Sequence, residues 1–87
     1  MKLIIDCGST KADWVIINDK NIVISFQTEG FNPNYTDRKY ISSIILNEVR
    51  YNTYTQEITN IFFYGSGCGK EENCTMIKDI LKIKELV

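Results

Sequence analysis

The sequence predicts an α/β domain built on a mixed sheet, with elements in the order β-β-β-α-β-α. Three observations carry this reading. The segment up to Glu29 holds three apolar runs separated by turn residues. Apolar residues at helical spacing follow. A further apolar run then leads through a glycine cluster into a second helical stretch.

Leu3-Ile4-Ile5 is a short β-branched run stopped by Asp6 and Gly8, as a buried strand should be. Trp14-Val15-Ile16-Ile17 is a second such run. Asn18-Asp19-Lys20-Asn21 is turn chemistry, because Asn and Asp bond to their own backbone. Ile22 to Glu29 alternates, which predicts a half-exposed strand with Ile22, Ile24 and Phe26 on one face. These three strands read as an antiparallel meander.

Gly30-Phe31-Asn32-Pro33-Asn34 breaks the pattern. A helix follows, with Thr36 as expected N-cap and Asp37 favourable to the helix dipole. Ile41, Ile44, Ile45 and Val49 form its apolar face, and it fades through Asn52 and Thr53. Ile61-Phe62-Phe63-Tyr64 reads as a strand covered on both faces. A second helix is expected from near Asn73, with Met76, Ile77, Ile80, Leu81 and Val87 as its stripe. A strand, a helical crossover and another strand favour parallel pairing.

The chain has 87 residues, enough for one small domain. Hydrophobic residues make up 44% and charged residues 24%, a balance that excludes a disordered tail. The formal net charge of −1 argues against nucleic-acid and anionic-membrane partners, which are held by excess cations. The absence of a signal peptide and of a spanning apolar run leads to an expected cytoplasmic location. Cys7, Cys68 and Cys74 form no CxxC pair and the chain has no His, so reduced cysteines are expected.

Three segments could carry chemistry. Asp6-Cys7-Gly8-Ser9-Thr10-Lys11 joins the first two strands. Gly8 permits a sharp turn and close approach of a ligand. Ser9 and Thr10 supply hydroxyls, and Lys11 a cation suited to phosphate. Asp6 could hold Mg²⁺ through water, since this ion keeps most of its waters. A Walker loop is excluded, because its spacing is absent and a strand follows. A plain hairpin loop is the competing reading. In Gly30-Phe31-Asn32-Pro33, Asn32 offers a donor and an acceptor to sugar hydroxyls, or merely makes a turn before a helix. In Tyr64-Gly65-Ser66-Gly67-Cys68-Gly69, three glycines follow a strand and precede a helix, where α/β proteins gather ligands. A plain strand-to-helix turn is the alternative, and the dinucleotide pattern GxGxxG does not fit.

Taken in order, Asp6–Trp14, Gly30–Pro33 and Phe63–Cys68 resemble the start of the BadF/BadG/BcrA/BcrD ATPase family, with N-acetylglucosamine kinase-like members closest in character. The resemblance covers essentially the whole chain. It implies part of a ribonuclease H-like, actin-type ATPase domain that uses ATP and Mg²⁺. It further implies that Asp6 lies near the metal and that Gly8, Ser9, Thr10 and Lys11 wrap phosphates. By the same resemblance Asn32 touches the sugar, and Gly65, Ser66 and Gly67 border the cleft. Two departures stand out: Cys7 replaces a more usual Gly or Ser, and Ala12 replaces a common Thr.

The chain is accordingly expected to be the N-terminal part, residues 1–87, of an incomplete kinase domain. The catalytic base, second phosphate loop and adenosine pocket would lie past Val87, so the piece alone should be inactive. The partner expected for the full-length protein is a small sugar, with a missing C-terminal half or a homo-oligomer completing the fold. The expected strand order is the Ile22, Val15, Ile4 and Ile61 strands, with the Ile61 strand at an apolar edge. Two other readings stay open: an ATPase that activates a partner reductase, and a stand-alone, non-catalytic phosphate-binding or interaction module. The first of these uses an iron–sulfur cluster in its relatives, for which Cys68 and Cys74 have the wrong surroundings.

Overall fold

A computed structural model describes residues 1–65 and 71–81. Strands β1 (Lys2–Cys7), β2 (Lys11–Ile17) and β3 (Ile22–Glu29) come first. Helices α1 (Arg38–Leu46) and α2 (Val49–Tyr54) follow, and a single 3₁₀ turn spans Thr55–Glu57. Strand β4 (Asn60–Gly65) and helix α3 (Glu71–Leu81) complete the described chain. The strands form one mixed sheet in the order β3-β2-β1-β4, as the sequence predicts. β2 is antiparallel to both β1 and β3, whereas β1 and β4 run parallel.

Alternation along the strands sets the layers. Leu3, Ile5 and Cys7 of β1, Ala12, Trp14 and Ile16 of β2, and Ile61 of β4 are buried in one core with Ile41, Ile45, Tyr51, Ile77 and Leu81 of the helices. Trp14 anchors this core. Its ring stacks on Phe26 at 5.4 Å and tilts against Tyr51 at 5.6 Å, while Nε1 donates to Thr28 Oγ1 at 2.8 Å. The Tyr51 hydroxyl in turn donates to the Leu81 carbonyl at 2.9 Å and ties α2 to α3. On the opposite sheet face Val15, Ile4 and Phe62 lie in one register row, each half-buried.

Turn chemistry holds at Asn18, whose Oδ1 accepts from the Lys20 and Asn21 amides at 3.0 and 2.9 Å. Four local expectations are corrected. The register slips between Ile16 and Ile17, which pair with Ile24 and Ile22, so Val23 is an inserted bulge residue. That extra residue turns Ile22 away from the Ile24–Phe26 face and leaves it 66% exposed. The N-cap of α1 is Asp37, whose carboxylate accepts from the Tyr40 amide at 2.8 Å. Thr36 instead gives its amide to the Asn32 carbonyl and belongs to the preceding turn.

The single helix drawn through Val49 is two. Glu48 takes an extended conformation (φ −80°, ψ 105°), and Asn52 Nδ2 caps the Leu46 carbonyl at 2.7 Å. Val49 therefore points outward, and Tyr51 fills the core in its place. Finally, β4 is not covered on both faces. Ile61 is buried, but Phe62 and Phe63 are half-buried and Tyr64 is exposed, because β4 pairs with β1 alone among the described residues. Of the expected α3 stripe, Ile77, Ile80 and Leu81 are buried; Val87 lies outside the described residues.

Candidate functional site

The parallel strands β1 and β4 end side by side, with Cys7 paired to Gly65 on one flank and to Ala12 of β2 on the other. Crossing from β1 to β2, the Gly8 amide donates to the Lys11 carbonyl at 2.9 Å and closes a tight turn. Ser9 and Thr10 stand exposed at its tip, and Lys11 is exposed where β2 begins. Two hydroxyls and an ammonium group are thus exposed on one short turn, groups able to bond to phosphate oxygens.

The Gly30–Asn32 segment packs directly on this turn. The Gly30 amide donates to the Thr10 carbonyl at 3.1 Å. A Cβ at Gly30 would lie 2.2 Å from the Gly8 oxygen and 2.6 Å from the Lys11 nitrogen, both backbone atoms, so only glycine allows the approach. Cys7 adds a second fastening. Its thiol donates to the Phe31 carbonyl at 3.1 Å and accepts from the Phe31 amide at 3.3 Å. Burial pushes this thiol's pKa up, against a smaller downward pull from the Phe31 backbone bond, and Asp6 adds to the rise. Cys7 therefore keeps the proton it donates. The Phe31 ring, fully buried, stacks on Phe63 of β4 at 5.9 Å.

Asn32 is 7% exposed. Its Oδ1 accepts from the Asn34 amide at 2.9 Å, and its carbonyl accepts from the Tyr35 and Thr36 amides. The acceptor expected for a sugar is thus committed to the loop itself, and the Nδ2 donor is the group that Asn32 has to offer. Asn73 of α3 braces this loop, donating from Nδ2 to Asn34 Oδ1 at 2.9 Å.

Asp6 occupies the other side of the sheet. Being next to Cys7 on a strand, it projects from the opposite face, where it is exposed and paired in register with Asp13 and Tyr64. Gln27 Nε2 donates to Asp13 Oδ1 at 2.6 Å. Among the described residues no group of three or more Cys, Asp or Glu could hold a metal ion. An exposed carboxylate beside a second one suits a largely hydrated Mg²⁺, which takes few protein ligands, and does not suit a caged transition metal.

Of the residues singled out from sequence, Asp6, Gly8, Ser9, Thr10, Lys11, Asn32 and Gly65 meet at one end of the sheet, with Asp6 and Asn32 on opposite faces. Ser66 and Gly67 lie outside the described residues. The sequence reading includes Cys7, Gly30 and Phe31 in its candidate segments but gives none of them a role in building the site. Only Gly30, placed where a strand ends, carried a visible signal. Between β3 and α1 lies a shallow cleft of about 350 Å³, lined by Thr28, Glu29, Tyr40 and Ser43 among others. No helix among the described residues is long and apolar enough to cross a membrane.

No family model and no curated protein matches the chain. A solved structure does: the crystal structure of a candidate N-acetylglucosamine kinase from Porphyromonas gingivalis, 33% identical, with a TM-score of 0.81. The match takes in 99% of this chain and 32% of that one, so the chain spans about a third of its neighbour's length. The α/β fold with its mixed sheet is that of part of this larger kinase-like structure, in agreement with the fold class expected from sequence.

Proposed function

We propose that this chain is the phosphate-gripping part of an N-acetylglucosamine kinase-like ATPase of the BadF/BadG/BcrA/BcrD type, in which an amino-sugar hydroxyl receives the terminal phosphoryl group of ATP. The observation that carries it is the backbone contact between the Gly8–Lys11 turn and Gly30, which sets a phosphate-type turn directly against the loop that bears Asn32. The likeness to the Porphyromonas gingivalis structure supports the same reading.

In this reading Ser9 and Thr10 donate hydroxyl and amide hydrogens to phosphate oxygens, and Lys11 offsets their charge. Asp6 would hold Mg²⁺ through water, and the ion would neutralise charge on the phosphates. Asn32 donates from Nδ2 to an oxygen of the sugar. Positioning and charge stabilisation supply most of the rate in phosphoryl transfer, and both require all parties to be held together. No residue here is assigned as the catalytic base, so the 87-residue chain is expected to bind Mg·ATP weakly and to transfer nothing.

Isothermal titration of the chain with Mg·ATP, followed by an assay for phosphorylated N-acetylglucosamine, tests this. Binding without transfer, lost on Thr10→Ala, is the expected result. Absence of binding would remove the phosphate reading. Transfer by this chain alone, lost on Asp6→Ala, would overturn the inactivity.

A further inference from the structure

We propose that Cys7 and Gly30 are positioning residues that lock the Asn32 loop to the Gly8–Lys11 turn, so that a phosphate chain held on the turn and a hydroxylated acceptor held at Asn32 keep one fixed separation. The inference rests on the phosphate-transfer reading above; it gives work to Cys7, which that reading leaves idle, and makes the Gly30 contact part of a lock.

The geometry is specific. Three contacts join the two loops within two consecutive residues: Gly30 N–H to the Thr10 carbonyl, and the thiol of Cys7 with both the amide and the carbonyl of Phe31. The thiol is donor and acceptor at once, so it fixes Phe31 in direction as well as distance. Gly30 lets the loops approach until backbone meets backbone, at a distance no side chain would permit. Asn32 is the next residue along, and its own turn is closed by Asn34, Tyr35 and Thr36, so it moves with Phe31. Behind them the Phe31 ring is wedged against Phe63, which leaves the segment little room to slide. A displacement of Thr10 by a bound phosphate therefore passes to Gly30, and from there to Asn32. The same thiol faces away from the exposed Asp6 side, so this work is separate from any work on metal.

Amide NMR of the 87-residue chain, titrated with inorganic tripolyphosphate and Mg²⁺, tests the coupling. The Ser9, Thr10 and Lys11 amides should shift, and those of Phe31 and Asn32 should follow the same titration curve. In Cys7→Ala the Phe31 and Asn32 response should fall at least threefold while Ser9–Lys11 still respond. Cys7→Ser, which keeps a donor and an acceptor, should restore at least half of it. An undiminished Phe31 and Asn32 response in Cys7→Ala, or silence of both in the parent while Ser9–Lys11 shift, overturns the proposal. No response anywhere removes the phosphate reading instead. The lock is then judged without ligand, by amide exchange: at least tenfold faster exchange at Phe31 in Cys7→Ala, with Trp14 unchanged, upholds it, and equal rates overturn it. If Cys7→Ala does not fold, Cys7→Ser decides, because an unmoved Phe31 amide resonance on replacing sulfur by oxygen would show that the contact is absent.

Discussion

Gly30 rests its Cα against the carbonyl of Gly8, and a methyl group placed there would stand 2.2 Å from that oxygen. Neither partner can yield cheaply, since the Gly8 amide closes its turn on the Lys11 carbonyl and the Gly30 amide is bonded to the Thr10 carbonyl of the same turn. Gly30→Ala should therefore destabilise the fold by about 1–3 kcal/mol, the range seen for overpacked sites. Urea melts measure the loss, and a cost under about 0.5 kcal/mol would show that the loops are not in contact.

Asp6→Asn should separate stability from binding. Asp6 and Asp13 face one another across β1 and β2, and like charges directly opposite are unfavourable. Neutralising one should leave stability unchanged or raise it by roughly 0.2–1 kcal/mol. Mg-dependent nucleotide binding should fall in the same variant. Parallel melts and titrations decide, and a variant that loses stability while binding Mg·ATP normally would contradict the assignment.

Stability should decline at alkaline pH through Cys7. Burial is the main cause that raises its pKa above the ordinary 9.0, so the unfolded chain loses this proton before the folded one does. The stabilisation is then complete below about pH 9 and drains away as pH rises through the folded value. Tyr51, also raised by burial from 10.0, adds a second loss at higher pH. Melts between pH 7 and 10 should steepen downward above pH 9, and Cys7→Ser should flatten the first part of that slope. An identical profile in parent and variant would exclude the thiol as its source.

The β4 edge should make the isolated chain sticky. Strand Asn60–Gly65 carries no charge and no proline, and Tyr64 is 61% exposed. The Arg50 guanidinium, by contrast, covers the Gln27 carbonyl of β3 and lies 4.4 Å over the Phe26 ring. Light scattering should report association that grows with concentration and falls in Tyr64→Lys. A monomer at all concentrations, indifferent to that change, would show that the edge is covered.

Much of this architecture is legible in the sequence because it follows from periodicity and chain connectivity. Turn residues at Asn18–Asn21 force a hairpin, and a helical crossover brings Ile61–Tyr64 beside Leu3–Asp6 in parallel. Counting patterns fail where one residue changes the count. Val23 is apolar like its neighbours, so nothing in Ile22–Ile24 marks which residue bulges. The spacing Ile41, Ile44, Ile45, Val49 fits one helix as well as two, and the extended Glu48 decides between them. Thr36 and Asp37 are both good caps; the Asn32 carbonyl takes the Thr36 amide, and Asp37 is left to cap α1. The site splits the same way. The hydroxyls and lysine of the first turn announce themselves by type. A thiol bonded to a backbone 24 positions away leaves no trace in any local pattern.

The alternation of β1 has an evolutionary consequence. Lys2, Ile4 and Asp6 look out from one side of the strand, whereas Leu3, Ile5 and Cys7 look into the core. Selection on charge or metal preference can therefore act on the even positions while Leu3 and Ile5 drift only among residues of matching volume, and Cys7 must also keep its two bonds to the Phe31 backbone. Random mutagenesis of this one hexapeptide should yield two families of variants, one altered in chemistry and one altered in folding yield, with few members common to both. A single-residue deletion within it exchanges the two faces and should be tolerated nowhere along the strand.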